Sequence, residues 1–284
     1  MTDFFIDFQR HAFLQYALVT GLLASVSCGV IGSFVVTRRI TYIAGGIAHS
    51  VLAGLGAARY CQVVYQCDWM HPLHGAVVAS LVAALIIGVV SLKARQREDT
   101  IIGAVWAIGM AIGILFIFKT PGYNENLMSY LFGNILMVSV DELWLLALLD
   151  VVIVLVSVIF YNQLLAVCFD EEQARLRGLN VDFYYLLLLC MTALTVVLLV
   201  TVVGIVMVIA LLTLPAAIAG NFAKKLWHMM LVSTVLTVLF TTSGLVVSYK
   251  PDIPVGATTI VIAGGAYLAV MVWSRFVMTG RARK

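Results

Sequence analysis

Apolar positions in this chain come in long unbroken runs, not in the short alternation of a half-buried strand or the one-sided stripe of a soluble helix. The runs lie near 13–36, 43–58, 75–92, 101–118, 143–167, 184–201, 203–220, 229–248 and 255–273. A helix needs roughly 20 mainly apolar residues to cross a hydrocarbon core of about 30 Å. With no water there to satisfy the backbone, helices that bond internally are the natural spanning element. The pattern predicts an all-α, polytopic transmembrane helix bundle of about nine spans. The eighth and ninth runs are parted by the polar, two-proline stretch YKPDIPVG, whereas the sixth and seventh are parted only around Thr201 to Gly204. One long kinked helix at that boundary would move everything after Gly204 to the other side of the membrane.

Composition agrees with a lipid solvent. Hydrophobic residues make up 63% of the 284, and charged residues only 11%, against about 25% in soluble domains. Mean hydropathy is +1.07. Charge then predicts orientation. With nine spans, 13 of the 17 Lys and Arg residues fall on one side: Arg38, Arg39, Lys93, Arg95, Arg97, Arg175, Arg177, Lys224, Lys225, Arg275, Arg281, Arg283 and Lys284. Arg10, Arg59, Lys119 and Lys250 fall on the other. Basic residues concentrate in cytoplasmic loops, which predicts an N-terminus outside and a C-terminus inside the cell. The net charge of +3 then reflects orientation and not nucleic-acid binding. The first run is long, ends in Arg38-Arg39 and lacks a small-residue cleavage pattern, so it is expected to stay as a helix and not to be a signal peptide.

Small residues predict how the helices approach. Gly21, Ser25, Gly29 and Ser33 recur every fourth residue in the first run, and Gly109 and Gly113 repeat the spacing in the fourth; such faces let helix backbones pack closely in lipid. The 11 methionines are scattered and read as gap-filling residues.

Chemistry is sparse inside the spans, which gives weight to His49. Gly45, Gly46, Ala53 and Gly56 are its helical neighbours, so the face around the ring is expected to be bare. Ionisable groups within a bilayer are costly and tend to face a cavity or a route for ions, and imidazole is a good ligand for zinc. A histidine hydrogen-bonded across a helix interface is the alternative. Asp150, in the fifth run, is either a second pathway group or a carboxylate near the outer interface. Asp252, in a Pro-bounded turn at the outer mouth, is either a cation-attracting group or a turn former. Glu125 and Asp141 are expected outside the membrane. The outer loop holds Cys61, Cys67, His71 and His74, but the Cys-x5-Cys spacing is looser than that of structural zinc sites, leaving a disulfide or two separate thiols. Cys28, Cys168 and Cys190 read as reduced packing residues.

The longest connection on the basic side, FDEEQARLRGLN from Phe169 to Asn180, begins with acids, ends with bases and stops at Gly178. That is a short helix matched to its own dipole, either a solvated connector or a docking surface.

Five segments in series resemble one family. TRRITYIAGGIAHSVLAGLG, LMSYLFGNILMVS, FDEEQARLRGLNV, VVGIVMVIALLTLPAAIAGNFAKK and YKPDIPVGATTIVIAG, spanning about Thr37 to Ala269, are similar to the membrane permease subunit of ATP-binding-cassette importers for zinc, manganese or iron. The resemblance implies a single permease domain over 1–284 in the inner membrane of a bacterium. It implies a homodimer embedded in lipid, a cytoplasmic ATPase dimer that hydrolyses the ATP, and an extracytoplasmic protein that delivers the metal. No permanently bound cofactor and no nucleic acid are expected. It makes the segment near 170–178 a coupling helix, with Asp170, Glu171, Glu172, Ala174 and Gly178 meeting the ATPase. His49, Asp150 and Asp252 are the expected metal-pathway residues, with Gly45, Gly46 and Asn134 shaping the passage.

Two departures bear on the cargo. Many relatives carry an aspartate four residues before the histidine, where this chain has Gly45, and an acid where this chain has Asn134. Losing hard oxygen anions is worse for manganese than for zinc, so zinc is the expected cargo, with manganese or iron as alternatives. The rival classes are an importer of another solute, such as a metal chelate, and an ion-coupled secondary transporter. The second would need a larger set of intramembrane ionisable groups. Neither a His-Glu-x-x-His arrangement nor a phosphate-binding loop is present, so the chain is not expected to be an enzyme.

Overall fold

The computed structural model describes residues 11–67, 69–93, 98–121, 133, 135–251 and 253–281. Their order is α1 (Ala12–Thr37), α2 (Thr41–Val64), α3 (Pro72–Lys93), α4 (Glu98–Lys119), a 3-10 turn (Ile135–Met137), α5 (Val140–Ile159), α6 (Tyr161–Phe169), α7 (Glu171–Leu176), α8 (Val181–Val203), α9 (Ile205–Phe222), α10 (Leu226–Tyr249) and α11 (Val255–Arg281). Among the described residues, nine helices are long and apolar enough to cross a membrane, matching the number of apolar runs.

Close contacts show how neighbouring spans meet. Glycines Gly54 of α2 and Gly75 of α3 meet backbone to backbone, and a Cβ on Gly88 would lie 2.6 Å from Leu186 of α8. In α1, Gly21 faces Thr241 and Gly29 faces Thr234, so α1 and α10 run antiparallel. The small residues of α1 are therefore packing residues, as are Gly109, which would crowd Ser50, and Gly113, which would crowd Leu52. Methyl groups at these places would push backbones apart, and in lipid close van der Waals packing is the main glue between helices.

The sixth and seventh runs are separate helices. Gly204 ends α8 and starts α9 with φ 84° and ψ 159°, a conformation that glycine adopts at no steric cost. Val181 starts α8 close to Tyr185 and Ser91, whose hydroxyls bond at 3.4 Å. Thr201 and Val202 reach the opposite end, beside His71 and Glu142. From there α9 returns to Lys224 and Lys225, which border the same groove as Asp170 and Arg177. The chain thus reverses at Gly204. Gly133, itself at φ 64°, lies against the Val203–Gly204 backbone with no room for a side chain.

The fifth run needs correction. It was expected to continue to 167, but α5 stops at Ile159, and Phe160 is the cap between it and a new helix, α6. Aromatic Phe160 and Tyr161 extend the apolar run without extending the span; Asn162 and Gln163 mark the polar exit, and the Tyr161 hydroxyl accepts a hydrogen bond from the Trp227 backbone at 3.2 Å. At its start α5 has a capping box, with Ser139 Oγ accepting from Glu142 N–H and Glu142 accepting from Ser139 N–H, which leaves two fewer orphan backbone donors. Arg38, Lys93, Arg175, Arg177, Lys224 and Lys225 gather at one end of the bundle, hereafter the basic end.

Candidate metal pathway and docking helix

His49 sits in the membrane-spanning part of α2, half-buried. Its face is not bare. The indole of Trp106, from α4, stacks on the imidazole at 4.3 Å between centroids and 11° between planes, and Tyr42, two turns earlier on α2, meets the same indole at 6.0 Å. Such stacking is worth about 0.5–1.5 kcal/mol and fixes the ring's plane. The small neighbours make this possible. A Cβ on Gly45 would meet only Trp106, at 4.0 Å, whereas one on Gly46 would press on Ile102 at 2.8 Å. Gly45 thus opens space beside the ring and Gly46 brings α2 against α4. Nδ1 of His49 is buried with no hydrogen-bond partner, so the interhelical hydrogen bond offered as an alternative does not form at that atom.

Asp150 is placed differently. It is 7% exposed, on α5, and accepts a hydrogen bond from the Ser27 hydroxyl of α1. Its second carboxylate oxygen is buried without a partner. The helix that carries it packs on α1, while α2 packs on α3 and α4; His49 and Asp150 belong to different helix pairs. Asp252 and Asn134, together with Glu125, lie outside the described residues. Cys61, in the last turn of α2, and Cys67, in the connection after it, carry free thiols. His71 Nδ1 accepts from Leu73 N–H and His74 Nδ1 lies 3.3 Å from the Trp69 carbonyl, and no group of three or more metal-ligating side chains occurs among the described residues.

At the basic end, Asp170 caps α7 by accepting from Gln173 N–H at 2.9 Å, and Gly178 ends the segment at φ 80°. Glu171 turns inward to an ion pair with Arg38, and Ala174 is buried. Glu172 and Gln173 face outward, and so does Leu176, 88% exposed, which sequence reasoning passed over because a leucine in a short amphipathic helix reads as core. Beside α7 runs a groove of about 750 Å³ bordered by Tyr161, Phe169, Arg177, Lys224, Lys225 and Trp227. Burial pushes the Cys168 thiol up to about 12, with the nearby Arg38 charge opposing the shift.

These features can be set beside known proteins. The model of the ABC 3 transport family matches residues 10–274. The chain belongs to that family. It is a transport component and not an enzyme, a multi-pass protein of the bacterial inner membrane. In this family the chain is 40% identical to a probable metal transport system membrane protein of Chlamydia trachomatis, over 88% of this chain and 85% of that one. It is 31% identical to the manganese transport system membrane protein MntC of Halalkalibacterium halodurans, over 96% and 91%. The structure of PsaBC from Streptococcus pneumoniae in complex with Fab superposes with a TM-score of 0.83 at 30% identity, covering 95% of each chain.

Proposed function

We propose that this chain is the membrane permease of an importer for a divalent metal ion, receiving the ion from an extracytoplasmic binding protein and passing it inward while a separate ATPase dimer hydrolyses ATP. The basic end is then cytoplasmic, the N-terminus extracytoplasmic, and two copies line one passage. The single observation that carries this reading is His49: an imidazole inside a span, held flat by Trp106, with a buried Nδ1 that no protein group satisfies. A buried polar atom without a partner costs about 1–3 kcal/mol, a cost that a passing cation and its water would relieve.

No acid stands one turn before His49, since that position is Gly45, and imidazole with water suits zinc better than manganese. Zinc is therefore the favoured cargo. Manganese is the second reading, supported by the name of the Halalkalibacterium halodurans relative. On the cytoplasmic side, α7 offers Glu172, Gln173 and the exposed Leu176 to a groove of the ATPase, with Asp170 and Gly178 defining the helix ends and Glu171 and Ala174 holding it to the bundle.

The test is uptake of zinc and of manganese by the reconstituted three-component system. Wild-type protein should favour zinc, and Gly45→Asp, which the open space at that position admits, should shift the ratio toward manganese. Equal uptake of both ions by wild-type protein and no shift in Gly45→Asp would refute the zinc assignment; wild-type zinc uptake by His49→Ala would refute the site.

A further inference from the structure

The two segments just given roles are far apart in sequence, and one side chain joins them. Arg38 follows α1 and stands three residues before α2 begins at Thr41. Its Nη2 donates to Glu171 Oε1 at the start of α7. Its guanidinium lies 5.5 Å from the centre of the Tyr185 ring on α8, and the Tyr185 hydroxyl donates to Ser91 of α3. One cation thus pairs with a carboxylate of α7 and lies over a ring of α8.

The turn between Arg38 and α2 is stiff. Arg38 and Arg39 N–H bond back to Phe34 and Val36 carbonyls, Ile40 N–H bonds to the Val35 carbonyl, and the Ile40 carbonyl in turn accepts from Ile43 N–H in the first turn of α2. Arg39 takes a left-handed conformation at φ 62°, and Ile40 is buried. Little slack remains between the guanidinium and the first turn of the helix that carries His49. By contrast, α7 is joined covalently to α6 and α8, not to α2.

We propose that Arg38 is a positioning residue for transport, tying α7 to α2 so that a displacement of α7 reaches the helix of His49. The proposal rests on α7 being the ATPase-docking helix. Arginine suits the task because its fork pairs with a carboxylate while its flat face packs on a ring, and lysine cannot do both. The ion pair is neither sealed nor fully exposed, with side-chain accessibilities of 24% and 32%, so removing one member leaves a charge that water can reach and the bundle stays folded.

Arg38→Ala should therefore assemble with its ATPase and hydrolyse ATP at close to the wild-type rate, yet move less metal per ATP. Uptake and hydrolysis are measured together in proteoliposomes holding the complete complex. A fall in the uptake-to-hydrolysis ratio of about fivefold or more is expected, the lower end of typical coupling between sites. Arg38→Lys should lie between, and the exchanged pair Arg38→Glu with Glu171→Arg should recover much of the ratio. A wild-type ratio in Arg38→Ala overturns the proposal, as does an equal fall in uptake and hydrolysis, or loss of the ATPase from the complex. The underlying docking assignment is tested separately by Leu176→Asp. If that variant retains the ATPase, α7 is not the docking helix, whatever Arg38 does.

Discussion

His49 and Asp150 are both ionisable groups inside membrane-spanning helices, and the bundle treats them in opposite ways. Asp150 is enclosed between α5 and α1 with a serine hydroxyl turned toward it. His49 is framed by an aromatic plane, flanked by glycines and left half-buried with an unsatisfied nitrogen. Each keeps one buried polar atom without a partner, His49 Nδ1 and Asp150 Oδ2, but only His49 is half-buried with open space at the neighbouring Gly45. On the proposed function, the half-buried histidine is the station for a moving ion, and the more enclosed carboxylate, tied to Ser27 by one of its oxygens, is a packing device.

The comparison breaks first at the two residues themselves. His49→Ala should reduce metal uptake by tenfold or more, an effect of about 1.4 kcal/mol or greater on passage, with the amount of folded protein unchanged. Asp150→Ala should do the reverse. It leaves the Ser27 hydroxyl buried without its acceptor, at a cost of about 1–3 kcal/mol, so folded yield and thermal stability in detergent should fall while uptake per folded molecule stays near wild type. Uptake abolished in well-folded Asp150→Ala would put the carboxylate on the route.

A smaller effect is expected at Trp106. Replacing it by alanine removes a stack worth about 0.5–1.5 kcal/mol, and uptake should drop severalfold, whereas Trp106→Phe should keep most of it. Equal uptake in both variants would mean that the indole only fills space. The smallest effect belongs to Gly45→Ala. Its new methyl would meet the indole at an ordinary 4.0 Å, so uptake should stay within about twofold of wild type, while Gly45→Leu, which must displace the indole, should behave more like Trp106→Ala.

Much of the fold was legible because lipid demands continuous apolar runs. Among the described residues, nine runs became nine spanning helices, and the doubtful boundary at Gly204 resolved as a reversal because glycine alone accepts its backbone conformation without strain. The end of α5 at Ile159 was hidden, since Phe160 and Tyr161 are as apolar as a span but serve as a corner. His49 was legible as chemistry, and Trp106 was not, because a stacking partner from α4 leaves no periodic trace on α2. The tie between Arg38 and Glu171, 133 residues apart, likewise belongs to tertiary packing. Charge pattern showed that α7 is a helix; it did not reveal that Glu171 faces inward and Leu176 outward.

The most direct test of the account is chemical access to the two positions. In protein cleared of its native cysteines, His49→Cys and Asp150→Cys are each treated with a small membrane-impermeant thiol reagent, with and without the cargo metal, during turnover in the complete complex. The account predicts modification at position 49, slowed by metal, and none at position 150. Modification at 150 but not at 49, or modification at 49 that metal leaves untouched, would contradict the assignment of the route to the His49 face.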